Sequence, residues 1–222
     1  MEKKTTAWLQ PQRGGIDTAL TPSALMGYLV RECAGFTPEA FAQIQCRLLL
    51  AGGKITCDSY GTRSLLTEHH LLPVICHRKD LRYLQQQKER CLEEAAKGAV
   101  LVSPRIARAE QDIIDEAMHH GFPVVLIADN GFQEAYHPSK ERIRLCDEDC
   151  LLMVTPWQYA YRQKDDPITV PFCKTMNCVA QALCRLKDNW WQRACTPLPT
   201  ANSAAGGFAA EIKENKNNDK KI

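Results

Sequence analysis

A parallel α/β sheet with helices covering both faces is the fold this chain of 222 residues predicts, on three observations. Four short runs, LLPVIC, AVLVS, PVVLIAD and LLMVT, are apolar at consecutive rather than alternate positions, as in strands buried on both faces. Between them lie stretches whose apolar residues recur at helical spacing. Short connections join the two kinds of segment, with Gly98 and Gly121 as helix stops. Strand–helix–strand alternation of this kind builds a parallel sheet through right-handed crossovers. The expected architecture is Rossmann-like from about Leu71 to Trp191, preceded by a small helical N-terminal region.

The first twenty residues read as an irregular arm. Thr21-Pro22-Ser23 then starts a helix in which Leu25, Leu29 and Val30 share a face. Thr37 caps a second helix, PEAFAQIQCRLLLAG, with Phe41, Ile44, Leu48 and Leu49 as its stripe and Gly52-Gly53 as its end. LLPVIC is the first strand. A long helix follows, with Leu81, Leu84, Cys91, Leu92 and Ala95 on one face. AVLVS leads to a helix from about Arg108 to His120, with Ile113, Ile114 and Ala117 inward. PVVLIAD is followed by a loop and the short helix KERIRLC, and LLMVT by a final helix, FCKTMNCVAQALCRLKDNWW. The segments are thus an N-terminal arm and helical region over 1–66, an α/β domain over 67–195 and a disordered tail over 196–222, poor in apolar residues.

Composition narrows the function classes. Apolar residues make up 45% and charged residues 24%, as in a globular protein. A net charge of +2 argues against general coating of nucleic acid, so an anion site must be a local patch. The start of the chain lacks a signal-peptide pattern, and no apolar run approaches the roughly 18 residues a membrane helix needs. The expectation is a cytoplasmic protein with no membrane partner. The 11 cysteines then read as reduced core thiols. No CxxC pair occurs, and Cys173, Cys178 and Cys184 fall on one helix, which cannot wrap them round an ion. No metal and no cofactor is expected.

Ligands of open parallel sheets bind outside the carboxyl ends of the strands. The loops there carry His77, Arg78 and Lys79 after LLPVIC, Ser103, Arg105 and Arg108 after AVLVS, and Asn130 and Tyr136 after PVVLIAD. Helix N-termini and guanidinium groups both favour phosphate, which marks the first two loops as an anion site. The alternative is solvated charges paired with Asp80, Glu110 and Asp112. No GxGxxG or GxxxxGK[ST] follows a strand, and no catalytic constellation stands out. Glu110 is the one candidate acid or base; the alternative is a first-turn charge helping its helix. Trp190-Trp191 reads as surface cover, with base stacking as the alternative.

The segment GAVLVSPRIARAEQDIIDEAMHHGFPVVLIADNGFQEAYHPSKERIRLCDEDCLLMVTPW resembles the second half of the DNA-processing protein A (Smf/DprA) family. Asn130-Gly131-Phe132 and Tyr136-His137-Pro138 stand where that family has a Gly-and-Tyr-Pro turn, and Cys76-His77-Arg78 stands at its Gly-Ser-Arg loop. Ser103-Pro104-Arg105-Ile106 replaces its glycine-rich binding loop. The resemblance covers about 110 residues and implies a Rossmann-like, bacterial, DNA-processing protein that binds single-stranded nucleic acid or a nucleotide without catalysis. A weaker resemblance, to lysine-decarboxylase-like phosphoribohydrolases, implies an enzyme on a nucleoside phosphate with Glu110 at work, although the Gly-Gly-x-Gly-Thr loop is missing. A protein-interaction module with a decayed site is the third expectation, and a homo-oligomer is compatible with all three.

Overall fold

The computed structural model describes residues 10–67, 69–76, 83–161 and 168–185. Its strands, among the described residues, are β1 (Gln12–Asp17), β2 (Leu50–Ala51), β3 (Lys54–Gly61), β4 (Leu71–Pro73), β5 (Val100–Ser103), β6 (Val124–Ile127) and β7 (Leu151–Thr155). Its helices are α1 (Pro22–Glu32), α2 (Pro38–Gln45), α3 (Leu84–Ala96), α4 (Arg108–His119), α5 (Lys140–Asp147) and α6 (Val170–Leu183). The chain is therefore α/β with a Rossmann-like sheet, as its apolar runs predict.

The sheet order is β1-β3-β7-β6-β5-β4, with β2 paired to β3. Strands β4 to β7 are parallel neighbours in chain order. Right-handed crossovers that always step the same way place their helices on one face. The packing agrees: Cys91 of α3, Ile113 and Ile114 of α4 and Leu145 of α5 share a core with Leu101, Leu126 and Met153. The opposite core joins Leu25 and Leu29 of α1, Phe41 and Ile44 of α2 and Val179 of α6 to Val102, Val125 and Val154. Successive residues of one strand thus enter opposite cores, which is why the runs are apolar throughout.

Helix starts follow the sequence. Thr21, Thr37 and Ser139 accept from the N–H groups of Ala24, Ala40 and Arg142 at 3.2, 3.3 and 3.4 Å.

The N-terminal region departs from the helical expectation, because its described part opens on a strand and adds three strands to the sheet. β1 lies in the arm read as irregular and pairs antiparallel with β3, which pairs antiparallel with β7. α2 stops at Gln45, not at Gly52. Leu48 instead bridges to Trp157, and Gly52-Gly53, both at positive φ, turn the β2–β3 hairpin. The sheet is therefore mixed, with a parallel centre. The final helix ends at Leu183, capped at Cys184 and followed by Arg185 at φ +52°, short of the predicted run to Trp191; Trp190-Trp191 and the tail lie outside the described residues.

Candidate functional site

The crossovers decide where a crevice can open. α5 follows β6 on one face and α6 follows β7 on the other, so the connections leaving these neighbours diverge. Divergent connections leave room outside the carboxyl ends of parallel strands. A cavity of about 310 Å³ lies there, across the ends of β5 and β6. Pro104, Arg105 and Ile106 line it after β5, and Ala128 and Asp129 after β6. Tyr136, Arg142 and Met153 line one side, and Ile168 and Met176 the other.

Two arginines belong to this lining, with their guanidinium groups in different states. Arg105 gives Asp115 two hydrogen bonds, from Nε at 2.9 Å and Nη2 at 2.6 Å. Arg142 has no carboxylate partner among the described residues. Its Nη1 reaches only the thioether of Met153, at 4.0 Å. Tyr136 packs on Phe132 with ring centres 4.8 Å apart and meets Tyr60 edge-on at 5.8 Å. Its hydroxyl lies 3.6 Å from the Met153 sulfur.

The residues singled out from the sequence separate into three groups. Arg105 and Tyr136 line the crevice. Ser103 and Asn130 are structural ties. Buried Ser103 donates to the carbonyl of Val74 at 2.9 Å and accepts from the N–H of Arg105 at 3.0 Å, sewing β4 to the turn after β5. Asn130 Oδ1 accepts from Arg47, Gly131 and Ala160 at 3.0, 3.0 and 3.2 Å, and its Nδ2 donates to the Ala160 carbonyl at 2.8 Å. A β-carbon on Gly131 would collide with Gln158, so this residue lets the chain after β7 pass close. Arg108 stands on the exposed first turn of α4, 3.0 Å from Asp112, the pairing weighed against a phosphate role. It lines a separate open groove of about 630 Å³ between α3 and α4, where Lys88 also pairs with Glu116. His77, Arg78 and Lys79 lie outside the described residues.

Glu110 is buried, with 1% of its surface exposed, and does not line the crevice. Its Oε1 accepts from the N–H of Cys76 at 2.9 Å, and its Oε2 from those of Ile106 and Ala107 at 2.7 and 3.2 Å. Burial pushes this carboxyl above its ordinary value, against the pull of the three N–H groups. Among the described residues no three His, Cys, Asp or Glu are grouped to hold a metal ion. The described cysteines are free thiols, and burial pushes Cys146 and Cys178 up to about 12. Among the described residues no helix is long and apolar enough to cross a membrane.

The sequence reading passes over Arg142 and Asp129, which line the crevice, and Asp115, which holds Arg105. Arg142 belongs to the charged run KERIR, which looks like a solvated helix face. The Ser139 cap, which fixes where α5 begins beside the strand ends, was the available signal.

No protein-family model, no curated protein and no solved structure matches this chain.

Proposed function

We propose that this protein binds a phosphorylated nucleoside, free or as one unit of a single-stranded nucleic acid, and leaves it chemically unchanged. The observation that carries the reading is Arg142, a cation with no carboxylate partner among the described residues, in a crevice at the strand carboxyl ends. A guanidinium of this kind takes phosphate oxygens in pairs. Tyr136, half-buried on the crevice wall, offers a base an aromatic surface. A volume of about 310 Å³ is at the low end for ligand pockets and suits one nucleotide unit. With both Glu110 oxygens held by backbone N–H groups, a binding role is favoured over acid–base chemistry. The DNA-processing resemblance points to the same ligand chemistry.

Titration of adenosine 5′-monophosphate and of a labelled oligothymidylate at several salt concentrations tests this. The wild type should bind both more weakly as salt rises. Arg142→Ala should lose about tenfold or more, the worth of one charged hydrogen-bonded contact, and flatten the oligonucleotide salt slope by about 0.7. The nucleotide should be recovered intact. Absence of binding at low salt overturns the reading, and release of free base or phosphate overturns its non-catalytic half.

A further inference from the structure

Arg105 sits on the turn after β5 with φ +55°, in the left-handed region that side chains rarely adopt. Ser103 holds that turn by accepting from the Arg105 N–H, and Gln111 Nε2 donates to the Arg105 carbonyl at 3.4 Å. The side chain then meets Asp115, seven residues into α4 from Arg108. At 1.5 Å per residue that is about 10 Å along the helix axis from its first residue. The guanidinium is thus held against α4, and among the described residues lining the crevice Arg142 is the cation without a carboxylate partner. Among the described residues no other cation pairs with Asp115: Arg108 is taken by Asp112, and Lys88 by Glu116.

We propose that Asp115 is a built-in competitor for the ligand's phosphate, which sets the crevice's affinity by holding Arg105 back. The inference rests on the nucleotide reading above. The pair is half-exposed, at 34% for Arg105 and 48% for Asp115, so solvent screens it and a phosphate dianion can displace the carboxylate. Arg105 Nη1 has no partner among the described residues and supplies the first contact from which the exchange proceeds. Phosphate binding then trades one charged pair for another, at an affinity below what two available guanidinium groups would give.

Asp115→Asn keeps the shape of the side chain and removes the charge. By calorimetry at low salt it should bind adenosine 5′-monophosphate about two- to fivefold more tightly than wild type, the factor an exposed pair is worth. Affinity for adenosine, which has no phosphate, should not change. Adding Arg105→Ala to Asp115→Asn should abolish the gain, so a general loosening of the fold cannot imitate the result. Unchanged or weaker nucleotide binding by Asp115→Asn, where Arg142→Ala still weakens it, overturns the competitor role alone. If wild type and Asp115→Asn both fail to bind the nucleotide, the crevice reading falls with it.

Discussion

Glu110 shows how one side chain can join segments far apart in the chain. Its two oxygens hold N–H groups from the end of the β4 connection and from the turn after β5. An amide in its place keeps one acceptor but presents an N–H₂ group to a backbone N–H. Glu110→Gln should therefore cost about 1–3 kcal/mol by urea unfolding at neutral pH, the penalty for an unsatisfied buried group. The pH dependence has a definite sign. A carboxyl whose value is raised in the fold binds more protons folded than unfolded between its ordinary and its raised value. Its contribution to wild-type stability is complete in acid and falls as pH rises through that window. The gap between wild type and Glu110→Gln should narrow over the same range; a gap that widens would mean the backbone N–H groups outweigh burial. At this scale the sequence locates residues without orienting them. Ser103, Arg105 and Asn130 are all legible as strand-end positions. Their partners lie elsewhere: Val74 for Ser103, Asp115 for Arg105 and Arg47 for Asn130. Only the packed chain tells that two of these residues face inward.

Among the elements, the four parallel strands could be read because double burial admits little but apolar residues. β3 could not, since KITCDSYG mixes Asp58 and Ser59 with apolar neighbours. Both polar groups are nonetheless buried, because other parts of the fold satisfy them. Asp58 accepts from Gly14 N–H at 2.6 Å and from Arg13 Nη1 at 2.9 Å, and Ser59 Oγ accepts from Arg63 Nε at 2.8 Å. β1 is hidden by its glycines and by a shift of register between Gln12 and Ile16. Gly52-Gly53 is ambiguous as written, since glycine ends helices and also turns hairpins. β3 also carries a clear test of its pairing. Gly61 has φ +107°, and a β-carbon there would strike the Leu151 carbonyl oxygen and lie 2.9 Å from Cys146 Sγ. Gly61→Ala should destabilise the protein by about 2–4 kcal/mol, combining left-handed strain with overpacking. Gly98→Ala, where the structure leaves open space, controls for the conformational cost alone. Equal losses at the two positions would argue against the β3–β7 contact.

For the molecule as a whole, the question is whether residues 1–66 and 67–195 fold as one unit or two. One sheet crosses that boundary, because β3 pairs with β7 from Asp58↔Thr155 to Gly61↔Leu152. One core crosses it too, with Leu25, Leu29 and Ile44 packed among residues that include Val100, Val125 and Val154. Backbone hydrogen bonds from Leu49 to the Pro156 carbonyl at 2.8 Å and from Gln158 to the Arg47 carbonyl at 2.7 Å tie the same regions again. Removing residues 1–66 would strip β7 of a neighbour and bare one face of the parallel strands, an apolar surface too large to leave in water. Unfolding in urea should therefore be one cooperative transition, superimposable by circular dichroism and tryptophan fluorescence. Two truncations probe the two sides. Leu25→Ala empties a fully buried position in the N-terminal region, and Ile114→Ala one beneath α4 on the opposite face. Each should cost about 2–5 kcal/mol and move the whole transition without splitting it. Sharing no core, the two losses should add to within about 0.5 kcal/mol in the double variant. Two separate transitions, with Leu25→Ala shifting only one of them, would show that the first 66 residues fold as a unit of their own.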